Sequence, residues 1–233
     1  MIILALDTTG ERLSLAIGEG ERTLAQSSRP GRPHDELLFP ELDRLLRRAR
    51  RSLREIGALA VASGPGRFTG VRIGMTFAAV LARALERPVA AVSLLEAAAH
   101  RACAAELGDA LLCAALPGIR DEVFLQFFRR SRGVLKAAAK PLWAPPQDAA
   151  RLLREASRTA DVLLCGPAAS HALALARPSA RLRIIPGSQR PLAAADILSV
   201  ARARLPGGGR SALVPLYLKP ANYERIRTPR PGR

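Results

Sequence analysis

The sequence predicts an α/β protein made of two lobes, each with a mixed sheet and flanking helices. Apolar strand-like runs alternate with helix-periodic segments over the first hundred residues. A Gly-rich turn joins an apolar run at 58–62 to a helix-like segment at 69–86. After residue 104 a second β-rich stretch again leads into helices. We therefore expect a first lobe at 1–103, a second lobe at 104–205, and a partly disordered tail at 206–233.

The elements of the first lobe follow from hydrophobic periodicity and turn residues. Apolar residues recur every three to four positions between Asp35, which can cap a helix, and Leu53. Pro40 lies early in this helix, where a missing N–H is tolerated. Strands are predicted at 2–7, 12–18, 22–27, 58–62 and 88–92. Further helices are predicted at 69–86 and from Ser93, and a Pro- and Gly-rich turn is predicted at 29–33.

The second lobe carries weaker signals. Its strands are predicted at 110–116, 122–128, 134–138, 161–165 and 182–185. Its helices are predicted at 147–157, 167–176 and 191–204, the last of them packing back on the first lobe. A Pro-rich turn at 141–146 holds the only tryptophan, Trp143. A flexible Gly hinge is predicted at 207–209 and a disordered, Arg-rich end at 225–233.

Composition limits the class of protein and its partners. With 233 residues, 48% hydrophobic and 24% charged, the chain has an ordinary globular composition. The net charge is +16, and 33 of the 36 basic residues are Arg. This excess has two interpretations, genomic base composition or a partner that carries phosphates. Cys103, Cys113 and Cys165 have no metal-site spacing, and no membrane-spanning segment or leader is expected, so a cytoplasmic location is predicted.

Two loops predict a site of phosphate-binding type. The first strand ends in Asp7-Thr8-Thr9-Gly10, a hairpin turn with a carboxylate and two hydroxyls. The second loop, SGPGRFTGVRIG at 63–74, leads from a strand into a helix, where backbone N–H groups converge. The predicted residual nucleotide- or phosphate-type loop consists of Asp7, Thr8, Thr9, Gly64, Gly66 and Thr69.

Small residues recur at four-residue spacing along the predicted helix 69–86. Gly70 and Gly74 each lower helix propensity by about 1 kcal/mol relative to Ala, so close contact with another element is expected to compensate. The ridge that they form with Ala78 and Ala82 either packs on the chain's own sheet or forms an interface with another subunit.

Taken together, the motifs resemble the bacterial tRNA threonylcarbamoyladenosine biosynthesis protein TsaB (YeaZ) family. The resemblance rests on LALDT at 4–8, the helix with LLFP after His34, the loop at 64–74, VSLLEA at 92–97 and PLYLKP at 215–220. It implies the two-lobed actin/sugar-kinase/heat-shock-ATPase-like fold. It also implies a partner interface on the two first-lobe helices. The residues that we expect there are Leu38, Leu42, Leu45, Gly70, Arg72, Gly74, Ala78 and Ala82.

The resemblance further implies a non-catalytic subunit that binds and activates a metal-bearing catalytic threonylcarbamoyltransferase paralogue. An ATPase partner, tRNA bound through the complex, and a homodimer of the isolated chain belong to the same expectation. We expect no tightly bound cofactor, with ATP and magnesium at the partner complex. No metal site and no catalytic residue is predicted, because His34, His100 and His171 lack the His-x-x-x-His spacing of the catalytic relatives.

The chain departs from the family pattern at the start of the predicted second lobe. Pro117-Gly118-Ile119 stands where the family has Asp-Ala-Arg, and the nearby Asp121 and Glu122 are expected to be exposed hairpin carboxylates.

A small-molecule kinase or ATPase of the same fold is the alternative function, with Asp7 holding a magnesium-bound water. A peptidase is not supported, because Ser63 lacks the Gly-x-Ser-x-Gly context. Direct tRNA binding would be compatible with the subunit function.

Overall fold

The structure is a computed structural model that describes residues 1–31, 33–103, 108–205 and 212–219. Its strands are β1 (Ile2–Asp7), β2 (Arg12–Glu19), β3 (Arg22–Pro30), β4 (Ile56–Gly64), β5 (Val89–Ser93), β6 (Ala110–Pro117), β7 (Val123–Ser131), β8 (Val134–Ala137), β9 (Leu142–Ala144), β10 (Val162–Cys165) and β11 (Leu182–Ile184). Its helices are α1 (His34–Ala49), α2 (Phe68–Leu85), α3 (Leu94–Ala102), α4 (Pro146–Thr159), α5 (Ala169–Ala176) and α6 (Ala194–Arg204).

The first sheet has five strands in the order β3-β2-β1-β4-β5. The β1–β2–β3 meander is antiparallel, whereas β4 and β5 run parallel to β1. Leu4 and Leu6 of β1 face one core, which contains buried residues of α1 and α2, whereas Ile3 and Ala5 face the core that contains α3 and α6. Because both faces of β1 are covered, it reads in the sequence as an unbroken apolar run.

The second sheet has the order β11-β10-β6-β7-β8, and β9 also pairs with β7. Strands β6, β10 and β11 are parallel to one another, and β6–β7–β8 is antiparallel. Helices α4 and α5 share a core with one face of this sheet, and α3 and α6 share a core with the other face. Helix α6 also contacts β1, β2 and β4. The predicted two-lobed α/β fold with mixed sheets is confirmed.

Several predicted boundaries are corrected. Helix α1 begins at His34 and ends at Ala49, because Arg50 adopts a left-handed conformation and a short 3₁₀ turn follows at Leu53–Glu55. Strand β3 continues to Pro30, inside the predicted turn. The expected Pro-rich turn contains β9, which pairs with β7 and precedes an α4 that begins at Pro146.

Some predictions concern residues that are not described. The Gly hinge at 207–209 and the end at 225–233 lie outside the described residues. The boundary between residues 103 and 104 adjoins the undescribed residues 104–107 and stays a prediction.

Among the described helices, α2 is long and apolar enough to cross a membrane by length and composition. It includes Arg72 and Arg83, and its inner face packs on β4. This is weak evidence for a membrane span, because core helices of globular proteins pass the same test.

Candidate functional site

A cleft of about 630 Å³ lies where the carboxyl ends of β1, β4 and β6 meet. Loops that follow these strands line it, as expected for a binding crevice in an α/β sheet. Its first-lobe wall includes Asp7, Thr9 and Gly66, and its second-lobe wall includes Ile119 and Glu122. Most of the remaining lining residues are proline, leucine or phenylalanine. The cleft is therefore largely apolar, with a few charged groups at defined positions.

Asp7 is held inside the β1–β2 turn. Its Oδ1 accepts hydrogen bonds from the Thr9 backbone N–H at 2.9 Å and from the Thr9 hydroxyl at 2.7 Å. The side chain is buried, and this burial raises the pKa of Asp7 although the two hydrogen bonds from Thr9 lower it. The carboxyl thus closes a local turn, as Asp commonly does.

The Gly-rich loop closes tightly on this turn. The Arg67 N–H donates to the Thr9 carbonyl at 2.8 Å. A Cβ at Gly66 would lie 2.6 Å from the Cβ of Thr9, so a larger residue would separate the two loops. Gly64 has φ +107°, which favours glycine, and a Cβ there would lie 3.1 Å from the Leu216 carbonyl oxygen.

The structure brings together half of the predicted phosphate-type loop. Asp7, Thr9 and Gly66 line the cleft. Thr8 is buried behind it and donates its hydroxyl to the Gly70 carbonyl at 2.7 Å, and Gly64 is also buried. Thr69 lies exposed in the first turn of α2. The assignment of these residues to a phosphate site stays a prediction.

The charged groups of the cleft already have partners within the chain. Arg67 pairs with Glu11 at 3.1 Å, and Lys219 pairs with Glu122 at 2.8 Å, so both cations that line the described cleft already face a carboxylate. One oxygen of Asp7 already accepts two hydrogen bonds from Thr9. Within the described ranges, no three His, Cys, Asp or Glu side chains are close enough to hold a metal ion.

Glu122 corrects the expectation of an exposed hairpin carboxylate. It is half-buried, and both of its oxygens accept hydrogen bonds from the Lys219 ammonium at 2.8 Å. This contact lowers the pKa of Glu122. The same ammonium lies 5.2 Å from the centre of the Trp143 ring. Asp121 is exposed as expected. The Lys219 contact was missed because only folding brings residues 122, 143 and 219 together.

Most of the residues predicted for the partner interface lie inside the chain. Seven of the eight are buried within the chain, namely Leu38, Leu42, Leu45, Gly70, Gly74, Ala78 and Ala82. A Cβ at Gly70 or Gly74 would overlap the Thr8 carbonyl or hydroxyl oxygen. The small-residue ridge therefore allows α2 to approach its own β1–β2 turn. Arg72 is exposed, with its guanidinium 3.7 Å from the centre of the Phe68 ring.

A different face of the same two helices is apolar and open. Phe39 of α1 and Val80 of α2 are 68% and 65% exposed. The Phe39 ring packs edge-on against Phe77, with centroids 5.1 Å apart. These residues line a groove of about 660 Å³, together with polar neighbours such as Asp35 and Thr76. Exposed aromatic and aliphatic side chains grouped in this way are typical of a protein-binding surface.

Comparison with known proteins places the chain among tRNA-modification proteins. Residues 26–174 match the family model "TsaD: tRNA N6-adenosine threonylcarbamoyltransferase". The TsaB protein of Bacillus subtilis is 29% identical over 68% of either chain. TsaB of Escherichia coli is 35% identical, over 56% of either chain. The match thus spans little more than half of the Escherichia coli relative.

Solved structures agree with this placement. A Pseudomonas aeruginosa protein, described as similar to peptidase YEAZ, has a TM-score of 0.73 and 30% identity over 94% of this chain and 99% of its own. A ROK hexokinase from Thermus thermophilus shares the fold alone, with a TM-score of 0.50 and 14% identity over 86% of this chain and 97% of its own. The chain belongs to the TsaB/YeaZ family, within the wider group that the TsaD family model describes.

Proposed function

We propose that this chain is a non-catalytic subunit of the machinery that makes tRNA threonylcarbamoyladenosine at position 37. It binds and activates the metal-bearing catalytic paralogue in the cytoplasm. The observation that carries the proposal is the open apolar face of α1 and α2 in a chain of the TsaB/YeaZ family. An ATPase partner, with ATP and magnesium held at the complex, belongs to the same proposal.

The cleft supports a partner role over the alternative of a small-molecule kinase or ATPase. A kinase would need cations that are free to meet phosphate oxygens and a carboxylate available to magnesium. Here Arg67 and Lys219 are ion-paired, and Asp7 is engaged by Thr9. We therefore expect no steady ATP hydrolysis by the isolated chain.

The partner surface is revised from the buried ridge to the open face. Its centre consists of Phe39, Phe77 and Val80, with Arg72 at its edge. Aromatic side chains with a polar rim are the usual anchors of protein interfaces. A second copy of the chain could cover the same face, so a homodimer and the complex with the paralogue would compete for it.

The test is assembly with the catalytic paralogue from the same cell, measured by size exclusion with light scattering. We expect a stable 1:1 complex for the natural chain. Val80→Arg places a charge in the centre of the face and should weaken binding at least tenfold, or about 1.4 kcal/mol. Val214→Arg is the matched control, because Val214 is also 65% exposed but lies outside the groove.

Two outcomes would contradict the proposal. If Val80→Arg assembles as well as the control, the face is not the interface. If the natural chain stays alone and instead binds magnesium-ATP in calorimetry, the kinase or ATPase alternative takes its place. Gly74→Arg is unsuitable as a test, because a side chain there would overlap Thr8 and disturb folding.

A further inference from the structure

The excess positive charge is concentrated in one part of the chain. Residues 1–103 contain 15 Lys and Arg against 11 Asp and Glu, whereas residues 104–233 contain 21 against 9. Within the latter, residues 123–147 contain five Lys or Arg and no Asp or Glu. The location of these five residues in the fold shows which surface carries this local excess of charge.

The β7–β8 hairpin carries four of these five cations. Arg129 and Lys136 are direct cross-strand partners and both are exposed. Like charges at opposite positions destabilise an antiparallel pair. Among the described residues, no carboxylate lies within 4 Å of either side chain. Arg129 lines a pocket with Asp109 and Asp161, but neither carboxylate forms an ion pair with it. The hairpin thus holds two adjacent positive charges that have no direct ion-pair partner among the described residues.

The tip of the hairpin adds a third cation under backbone strain. Ser131 and Val134 close a two-residue turn in which Arg132 has φ +48° and Gly133 has φ +78°. Turns with two positive φ values favour Asn, Asp or Gly at the first position. An arginine there adopts the left-handed conformation at a cost that these residues largely avoid. The Asp109 carboxylate accepts a hydrogen bond from the Arg132 backbone N–H at 2.9 Å. This bond anchors the turn but leaves the Arg132 guanidinium exposed.

The hairpin borders a larger basic groove. Arg130 lines this groove of about 730 Å³ together with Arg101, Arg190 and Arg204. Carboxylates in the groove already bind these last three, since Asp196 pairs with Arg101 and Arg190, and Glu96 pairs with Arg204. The groove therefore contributes a positive background, and the cations without an ion-pair partner lie on the hairpin itself.

We infer that the β7–β8 hairpin binds the phosphate backbone of RNA through Arg129, Arg132 and Lys136. Arg makes bidentate contacts to phosphate, and Lys and Arg are the side chains that commonly contact the phosphates of a nucleic-acid backbone. The inference rests on the proposed function, in which the RNA is tRNA. It adds a direct contact by this chain to the tRNA that the complex modifies.

The first experiment measures binding of the full chain to a fluorescently labelled tRNA transcript by anisotropy across a salt series. Phosphate contacts make the logarithm of affinity fall linearly with the logarithm of salt, by roughly 0.7–0.9 for each contact. Arg129→Gln/Lys136→Gln should therefore lower affinity and reduce the slope by about 1.4–1.8. Arg154→Gln/Arg158→Gln removes the same charge from exposed positions of α4 in the same lobe and should leave the slope nearly unchanged.

The second experiment separates strain from charge at the turn. Arg132→Asn should raise the midpoint of thermal unfolding by about 2–4 °C, because Asn tolerates a positive φ. The same variant should lower affinity for the transcript and reduce the salt slope by about 0.7–0.9. A merely structural role for Arg132 predicts no change in RNA affinity.

The outcomes distinguish this inference from the proposed function. Equal losses in the hairpin and α4 variants, or a flat salt response, would overturn the RNA contact and leave assembly with the paralogue unaffected. If the hairpin variants no longer bind the paralogue but still bind the transcript with unchanged affinity, the hairpin is a protein contact and the inference fails. If the transcript binds through the hairpin while the paralogue never binds, the inference holds and the proposed function fails.

Discussion

Asp7 sits at the end of β1 in a position that suggests chemistry, but its contacts are those of a turn residue. Its Oδ1 accepts both the N–H and the hydroxyl of Thr9, and the side chain is buried. Thr8 faces the opposite direction and donates its hydroxyl to Gly70. The Asp7 side chain therefore holds the β1–β2 turn together, and the Thr8 side chain links that turn to α2.

The raised pKa of Asp7 predicts a specific dependence of stability on pH. Since burial raises the folded-state pKa above the ordinary value of 3.8, the folded state holds the proton more tightly than the unfolded state. Asp7 therefore contributes most to the free energy of unfolding below pH 3.8, and this contribution is lost as the pH rises through the pKa of the folded state. Asp7→Asn removes this titration and retains an acceptor for Thr9.

The measurement is the free energy of unfolding of Asp7→Asn and the natural chain between pH 3.5 and 7.5, chosen to span roughly the ordinary Asp range and neutrality. We expect the stability of the Asn variant relative to the natural chain to increase with pH. A relative stability that decreases with pH would show that the fold stabilises the charged carboxylate.

The Thr8 hydroxyl provides a second prediction for a single residue. Thr8→Val keeps the shape but removes the donor to the Gly70 carbonyl, so we expect a loss of about 1 kcal/mol in the free energy of unfolding. Thr69→Val makes the same change at an exposed position and should stay within about 0.5 kcal/mol of the natural chain. Urea titration measures both, and equal effects would refute a special role for the Thr8 bond.

At the scale of elements, α2 shows why the small-residue pattern had two interpretations. Gly70 and Gly74 lie against Thr8, and Ala78 and Ala82 are buried in the same core. Spacing along a helix identifies a face on which another element approaches closely, but it does not say whether that element belongs to the same chain. The β1–β2 turn of this chain is that element.

Gly70→Ala tests this packing. In an exposed helix the change to Ala would add about 1 kcal/mol of stability. Here a Cβ would overlap the Thr8 carbonyl, so we expect a net loss of about 1–3 kcal/mol in the free energy of unfolding. The control is Gly10→Ala, where a Cβ meets nothing within 4 Å. A Gly70→Ala variant as stable as the control would show that the turn can move away without cost.

At the scale of the whole molecule, the segment 212–219 connects the two lobes. The Leu216 N–H donates to the Ser63 carbonyl at 2.8 Å. The Tyr217 hydroxyl accepts a hydrogen bond from Arg72 Nε at 3.2 Å. Three residues after Leu216, Lys219 pairs with Glu122 of the second lobe. The closure of the cleft on this side thus depends on contacts far apart in the sequence.

The Lys219–Glu122 pair should be visible in the fluorescence of Trp143. Lys219 lowers the pKa of Glu122 below its ordinary value of 4.5. The pair therefore stabilises the fold above pH 4.5, and this stabilisation is lost as the pH falls through the lowered pKa. We expect a Trp143 emission change with a midpoint below 4.5, which Lys219→Met moves upward and Glu122→Gln abolishes. Far-ultraviolet circular dichroism at each pH controls for unfolding. A midpoint that Lys219→Met leaves in place would exclude the pair as its cause.

Local patterns along the chain are enough to predict the fold class, the order of nearly all elements and the resemblance to the TsaB/YeaZ family. These depend on local periodicity, turn residues and contiguous motifs, which are all visible along the chain. The two loops of the cleft are visible in the sequence for the same reason, since each is a short motif at the end of a strand.

Whether a predicted residue faces the cleft, the core or solvent depends on contacts between distant parts of the chain. Burial of Gly70 and Gly74 depends on a turn more than sixty residues away, and the pairing of Lys219 with Glu122 joins residues almost a hundred positions apart. The open face of Phe39 and Val80 and the cross-strand pair of Arg129 and Lys136 likewise arise from packing and register. A sequence pattern specifies the spacing of side chains, whereas the surface that each one meets depends on the rest of the fold.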